Sequence, residues 1–435
     1  MPQHVGIDFG TTNSALGLAD EDGLTSLAMY PYAGSATSTF RSVLHFDPEH
    51  RDPRGAILPT AGPAALDGYL AADGQGRLIQ SLKSFLASDL FRATSVFGRT
   101  YTLEELAALI VAGLVDWARE ELPSLGVPVV GRPVRFAKGE DDADDDFAVT
   151  RLRSAFAKAG VPEIALEYEP VAAAYFYESR LDHDELVLIG DFGGGTSDFC
   201  LMNVGPGVRR RGRKPSDILG TEGVGLAGDA LDARIVDHVV APALGRGTEY
   251  RSYMEGRVLT VPAWIYSQLR RWHHLSFLKS KKNMALFEDL FKQSLEPRKL
   301  AALISLVEND LGYELYRSVE TTKVALSKAE AAPFQFHHAD VELDAVVTRA
   351  DFESWIAPEL ESIRSCVDRL LASTGVDARA VDRVFLTGGS SLVPAVRRIF
   401  IERFGEARVR SGNELTSVAL GLALVCADRA ALQRA

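Results

Sequence analysis

The sequence predicts an α/β fold organised as two related lobes, and three observations carry that prediction. The chain has 435 residues, more than one compact core holds. A strand-turn-strand pattern around Asp-Phe-Gly occurs twice, at Val5–Ser14 and at Leu188–Asp198, and a distant repeat of one supersecondary unit implies duplicated architecture. Around and between the copies, short apolar runs alternate with longer segments of helical period, the mark of layered α/β domains.

The elements follow in order. Val5-Gly6-Ile7-Asp8-Phe9-Gly10-Thr11-Thr12-Asn13-Ser14 is an apolar run, a small hydroxyl-rich turn and the start of a second apolar run to Ala19, which reads as a β-hairpin. Thr102 to Leu122 places Leu103, Leu106, Leu109, Ile110, Leu114 and Trp117 at helical spacing behind a Thr-x-x-Glu start, so a capped helix is expected. Val127 to Phe136 reads as a strand and Val149 to Gly160 as an amphipathic helix stopped by glycine. Leu166 to Glu169 reads as a short strand leading into an alanine-rich helix from Pro170 to Glu178. The second hairpin returns through Phe199 to Val204. Arg246 to about Leu326 reads as mostly helical and carries Trp264, Tyr266, Trp272, His273 and His274; helix packing explains these aromatics more simply than a partner surface does. Arg383 to Thr387 is expected as a strand, Gly388-Gly389-Ser390-Ser391 as a loop, and Val393 to Phe404 and Thr416 to Asp428 as the last helices.

Composition bounds the function. Hydrophobic residues make up 46% and charged residues 24%, an ordinary globular balance. With 47 Lys and Arg against 59 Asp and Glu, the formal charge is −12, which argues against a nucleic-acid partner because phosphate backbones need a cationic footprint. Glu140-Asp141-Asp142 with Asp144-Asp145-Asp146, Arg209 to Lys214, and Lys279 to Lys282 read as solvated charged loops. No apolar stretch approaches membrane-spanning length, and Met1 to Val5 has no basic start before an apolar run. Cys200, Cys366 and Cys426 lack metal-ligand spacing and read as small apolar residues. A cytoplasmic protein without membrane or nucleic-acid partners is expected.

The chemistry lies in the turns. A phosphate chain needs many backbone N–H donors close together, and glycine permits that approach. Thr11, Thr12 and Thr196 add hydroxyls to the same turns, while Asp8 and Asp191 stand at strand ends where a carboxylate can hold hydrated Mg²⁺. One such hairpin alone is an ordinary glycine turn; two matched hairpins and a third loop at Gly388-Gly389 point to a phosphate site. A protein kinase is excluded: there is no glycine-rich loop followed by a strand lysine, no His-Arg-Asp loop and no Walker lysine. No G-x-G-x-x-G opens a helix, so a dinucleotide site is unsupported.

These motifs resemble those of the seventy-kilodalton heat-shock chaperone family. Asp8-Phe9-Gly10-Thr11-Thr12-Asn13-Ser14 looks like its first phosphate motif and Asp191-Phe192-Gly193-Gly194-Gly195-Thr196-Ser197-Asp198 like its second. Glu169-Pro170-Val171-Ala172-Ala173-Ala174 is similar to the first connecting helix, and Ser417-Val418-Ala419-Leu420-Gly421 to the second. Leu386-Thr387-Gly388-Gly389-Ser390-Ser391-Leu392 resembles the adenosine motif, and Leu226-Ala227-Gly228-Asp229-Ala230-Leu231-Asp232 the glycine-rich turn after the second hairpin. Lys83-Ser84-Phe85-Leu86 and Val130-Gly131-Arg132-Pro133-Val134 look closest to its YegD-like branch.

The resemblance implies an actin-like ATPase fold: two lobes, each a mixed β-sheet flanked by helices, with the nucleotide between them. Lobe I would comprise residues 1–180 with a helix from 405–435, and lobe II residues 181–404 with a helical subdomain at about 230–326; no peptide-binding domain is expected to follow. Asp8 and Asp191 would organise Mg²⁺ through water. Gly10, Thr11, Thr12, Asn13, Gly193, Gly194, Gly195 and Thr196 would hold the phosphates of ATP or ADP. Lys83 falls where the family has a lysine reaching the γ-phosphate, Glu169 where a carboxylate orients the attacking water, and Asp191 and Thr196 would assist. Gly228, Asp229, Glu320, Lys323, Ser327, Gly388, Gly389, Ser390 and Leu392 would face the nucleoside side. By spacing alone, Glu320 and Lys323 equally fit a surface ion pair on one helix face. The family sandwiches adenine between two arginines, and the matching positions are Val324 and Leu392, which removes cation–π and stacking contributions.

The function expected is a chaperone-like ATPase that changes conformation as it hydrolyses Mg-ATP, with client proteins or a co-chaperone as partners. Two alternatives stay open: a nucleotide-holding scaffold that does not hydrolyse, and a small-molecule kinase of the same fold. The kinase would need a general-base aspartate toward its substrate, for which the sequence offers no candidate.

Overall fold

The structure is a computed structural model and describes residues 4–32, 34–72, 76–89, 91–122, 124–137, 139, 142–252, 257–270, 275–338, 340–412 and 416–434. Lys138, Glu140, Asp141, Trp272, His273 and His274 lie outside the described residues. The chain divides into two compact units, Met1–Gly228 with Leu360–Ala435, and Asp229–Glu359.

The first unit holds two sheets of one topology. In the first, β1 (His4–Asp8) and β2 (Asn13–Ala19) form a hairpin with Asp8 opposite Ala15, and β3 (Val129–Arg132) and β4 (Ala165–Tyr168) add in parallel beyond β1. In the second, β5 (Glu185–Phe192) and β6 (Ser197–Val204) form a hairpin with Asp191 opposite Asp198. There β7 (Ile218–Val224) continues beyond β6, while β8 (Arg383–Thr387) and β9 (Val409–Ser411) add in parallel beyond β5. Thr25–Leu27 occupies the place in the first sheet that β7 takes in the second. The sequence repeat is thus a repeat of topology. β5 reads as a nearly unbroken apolar run because both faces of a central strand are covered.

Helices pack on these sheets. In α1 (Leu103–Glu121) the Thr102 hydroxyl accepts from Glu105 N and the Glu105 carboxylate accepts from Thr102 N, the expected capping box. Next come α2 (Asp142–Lys158), α3 (Glu169–Glu178) and α4 (Ser417–Arg434). Val171 to Ala174 of α3 and Val418, Leu422 and Val425 of α4 join Val187, Ile189, Cys200 and Met202 of the second sheet in one core. Glycine sets the spacing: a Cβ on Gly421 would stand 1.8 Å from Ala172 O, and one on Gly6 2.2 Å from Ala423 N.

Several expectations are corrected. α2 begins at Asp142, not Val149, so Asp142 to Asp146 form the opening of a helix rather than a solvated loop. Aspartates there complement the helix dipole. Asp145 is also buried: it accepts from Phe136 N at 2.9 Å and pairs with Arg135 at 2.9 Å. In the basic run 209–214, Arg213 is not solvated but is sheltered against Tyr175 and paired with Glu178. The strand expected over Val127 to Phe136 is confined to β3, and the last helix runs past Asp428 to Arg434. Before α1 lie a three-stranded sheet (Thr60–Ala61, Val43–Phe46, Arg77–Gln80), the helix Pro63–Ala71 and a 3-10 turn, Leu82–Phe85.

The second unit is largely helical, with Ala263–Leu269, Leu275–Leu278, Lys281–Gln293, Pro297–Glu308 and Gly312–Lys328. It also contains two hairpins, Glu249–Arg251 with Val258–Thr260 and Ala331–His338 with Val341–Thr348; the first interrupts the helical stretch expected from Arg246. Tyr266 is a packing residue, buried and donating to Leu244 O at 3.2 Å, whereas Trp264 is exposed. Among the described residues no helix is long and apolar enough to cross a membrane.

Candidate active site

Hydrogen bonds within each hairpin shape its turn. In the first, Gly10 N donates to Ser14 Oγ at 3.1 Å, and Ser42 Oγ donates to Gly10 O at 2.8 Å, so the hydroxyl pair Ser14–Ser42 fixes the backbone of Gly10 to Asn13. Arg41 donates to Asn13 Oδ1 at 3.0 Å, which engages that side chain within the turn. In the second, Gly193 N donates to Thr196 O at 3.0 Å, and Gly228 N donates to Gly193 O at 3.3 Å, tying the later glycine turn to it.

The turns meet. A Cβ on Gly195 would lie 3.3 Å from Thr11 Oγ1 and 3.9 Å from Ser84 Oγ, so both hairpin turns and the Lys83 segment share one small space. Gly388, at φ +83°, lies against the end of β5, where a Cβ would stand 2.1 Å from Phe192 O. Ser390 is buried beneath that loop, while Gly389 and Gly193 are exposed. Thr11, Thr12, Gly193 to Thr196, and Gly388 thus come from three distant segments to one place.

One ammonium and four carboxylates line it. Lys83, on the 3-10 turn and 7% exposed, donates to Glu169 Oε1 at 2.5 Å. Gly131 of β3 leaves room for Glu169, since a Cβ there would stand 3.0 Å from its Cγ. Burial works against the Lys83 charge, but Glu169 and Asp8 more than offset it and hold the amine above the ordinary lysine value. Burial, then Glu169, pushes the Asp8 carboxyl up to about 7 against a pull from Lys83. Asp191 is raised well above the usual carboxylate range by burial and by Glu169, Asp8 and Asp198. Asp198 is lifted to about 7 by burial and Glu169, although bonds from Thr196, Val134 N and Arg135 N pull the other way.

Sequence reasoning quoted Asp198 within its motif but assigned it no role. Its Oδ1 accepts from Val134 N at 2.7 Å and Arg135 N at 3.3 Å, contacts more than sixty residues away in the chain. Strand alternation was the available signal: Asp198 faces Asp191 across the hairpin.

In the second unit, Lys323 donates to Asp232 Oδ2 at 2.8 Å, so its ion-pair partner is a buried aspartate on the helix Gly228–Ile235. Ser327 Oγ donates to Lys323 O at 3.3 Å, on the same helix as Glu320. The second Asp232 oxygen, Oδ1, is buried with no hydrogen-bond partner. Val324 in this unit is 50% exposed, and Leu392 in the first unit 53%.

A duplicated hairpin sheet with phosphate-type turns and a buried lysine–carboxylate pair is the geometry to set beside known proteins. The family profile described as Hsp70 protein matches residues 302–431. The chaperone protein DnaK of Thermotoga maritima is 26% identical over 426 residues, covering 97% of this chain and 59% of that protein. These matches support an Hsp70-family nucleotide-binding domain. DnaK of Thermosipho melanesiensis is 25% identical over 426 residues, and DnaK of Thermus thermophilus 27% over 331 residues, or 76% of this chain and 44% of that one. The α/β architecture with its paired mixed sheets is accordingly the actin-like fold of Hsp70 proteins. The chain spans about half the length of these DnaK relatives.

Proposed function

We propose that the chain is a chaperone-type ATPase that takes up Mg-ATP at the converging turns, hydrolyses it slowly and uses the change in bound phosphate to switch conformation. The observation that carries this reading is the buried Lys83–Glu169 pair set among Asp8, Asp191 and Asp198 beside two glycine turns.

The residues divide the work of phosphoryl transfer to water, where catalysis is mostly positioning and charge neutralisation. The turn backbones and the hydroxyls of Thr11, Thr12 and Thr196 cradle the phosphates. Asp8 and Asp191 fit a cation: burial and then repulsion from Glu169 raise both carboxyls, and a divalent ion would offset that repulsion. Mg²⁺ keeps several waters and needs one or two carboxylates beside substrate phosphates, and when bound it would neutralise phosphate charge. Lys83 supplies a fixed positive charge for the terminal phosphoryl. Glu169 orients the attacking water, and Asp198 can take its proton as the new oxygen–phosphorus bond forms and the bond to ADP breaks. Client proteins or a co-chaperone, by analogy with the chaperone relatives, would read the switch.

The test is phosphate release from Mg-ATP by wild type and Lys83→Ala, with binding followed by calorimetry. A loss of about 10²- to 10⁴-fold in rate with binding retained supports the assignment. Binding without turnover in wild type points instead to a nucleotide-holding scaffold, and absence of binding overturns both readings.

A further inference from the structure

We propose that Arg151 is a positioning residue for the hydrolytic site, fixing Lys83 through the loop that follows it. The inference rests on the reading of Lys83 as catalytic. Lys83 sits on a short 3-10 turn entered through Ser81, which holds a left-handed backbone at φ 59°. Among the described residues, 86–89 and 91–92 form no helix or strand, so their path needs anchoring from outside.

One side chain supplies the anchor. Arg151, buried on α2, donates through Nη1 to Ser88 O at 2.9 Å, Phe85 O at 3.2 Å and Leu86 O at 3.5 Å, and through Nη2 to Phe91 O at 3.0 Å. Its Nε donates to Glu104 Oε1 at 2.5 Å on α1, which supplies the countercharge. A planar fork of five donors can gather carbonyls from several directions, which an ammonium cannot match.

The first turn of α2 grips a second segment beside the site. Asp145 holds Phe136 N and Arg135, and the neighbouring amides Val134 N and Arg135 N donate to Asp198. A single helix therefore fixes both the loop bearing Lys83 and the segment against which Asp198 is set. A misplacement of about 1 Å in a catalytic group can lower the rate on the order of 10²-fold, so a clamp at this point acts on chemistry without touching substrate.

Removing the guanidinium outright, as in Arg151→Met, strands Glu104 and several carbonyls and endangers folding. Arg151→Lys and Glu104→Gln therefore carry the test, with circular dichroism to establish folding. Single-turnover hydrolysis should fall about 10- to 100-fold in Arg151→Lys while the dissociation constant for Mg-ATP stays within about twofold. In a Lys83→Ala background the same substitution should add no further loss, because its effect passes through Lys83. Multiplying losses, or weaker binding with unchanged turnover, would overturn the proposal.

A second readout needs no turnover. Acylation of Lys83 by an amine reagent, followed by mass spectrometry, should quicken about tenfold in Arg151→Lys and Glu104→Gln, while Lys323 labels as in wild type. Unchanged Lys83 labelling refutes the clamp. A wild type that binds nucleotide without hydrolysing it defeats the ATPase reading alone, and the labelling then decides the clamp by itself.

Discussion

Replacing Lys83 by methionine keeps the volume of the side chain and deletes its charge. Glu169 then remains buried with Asp8, Asp191 and Asp198 and no ammonium, and breaking a buried pair by removing one partner costs about 3–5 kcal/mol. Both side chains are at most 8% exposed, so solvent screening does little to reduce that figure. The double variant Lys83→Met/Glu169→Gln removes the stranded charge and should recover roughly 1–3 kcal/mol of the loss. Proton linkage gives the second signature. A carboxyl whose folded pKa is raised, as Asp8 and Asp198 are to about 7, favours the fold when protonated, and that stability is lost as pH rises through about 7. Without Lys83 the carboxyls rise further, so the deficit of Lys83→Met should be larger at about pH 8 than at about pH 5.5. Urea unfolding of the three proteins at both pH values measures this. A double variant no more stable than Lys83→Met, or a deficit indifferent to pH, would refute the electrostatic account of the cluster.

Two further outcomes follow from the same geometry. Mg²⁺ without nucleotide should raise the melting temperature more at about pH 8 than at about pH 5.5, since protons on Asp8 and Asp191 compete with it; an equal shift by calorimetry would sink the assignment of these carboxylates. Gly388→Ala combines φ +83° with a Cβ 2.1 Å from a backbone oxygen, so it should cost about 1–3 kcal/mol and weaken nucleotide binding. Gly389→Ala, which meets nothing within 4 Å, should stay within about 0.5 kcal/mol in the same unfolding assay, and equal effects would discount the loop's close fit.

Local signals in the sequence were reliable where the chemistry is local. The hairpins, the Thr102–Glu105 capping box and the strand Arg383–Thr387 depend on neighbours in sequence and stand as expected. Charged residues misled wherever a distant partner decides. Asp145 belonged to an acidic run, but Phe136 N and Arg135 draw it inward; Arg213 belonged to a basic run, but Glu178 claims it. Lys323 shares a helix face with Glu320, yet its recorded ion pair lies 91 residues away, at Asp232. Arg151 looked like any helix arginine, because the carbonyls it gathers leave no trace in residue type. For the same reason Asp198 passed as part of a turn motif until Val134 and Arg135 were seen to donate to it.

The glycines that let α4 lie against β1 and β2 impose an order on synthesis. Gly6 and Gly17 take α4 backbone within about the space of a methyl group, so the face of the first strands is closed by residues made roughly 400 positions later. At about 5–20 residues per second, that apolar face waits on the order of 20–80 s on the ribosome before its cover emerges. The first hairpin is thus translated long before its cover, and its apolar face has a long need of protection on the nascent chain.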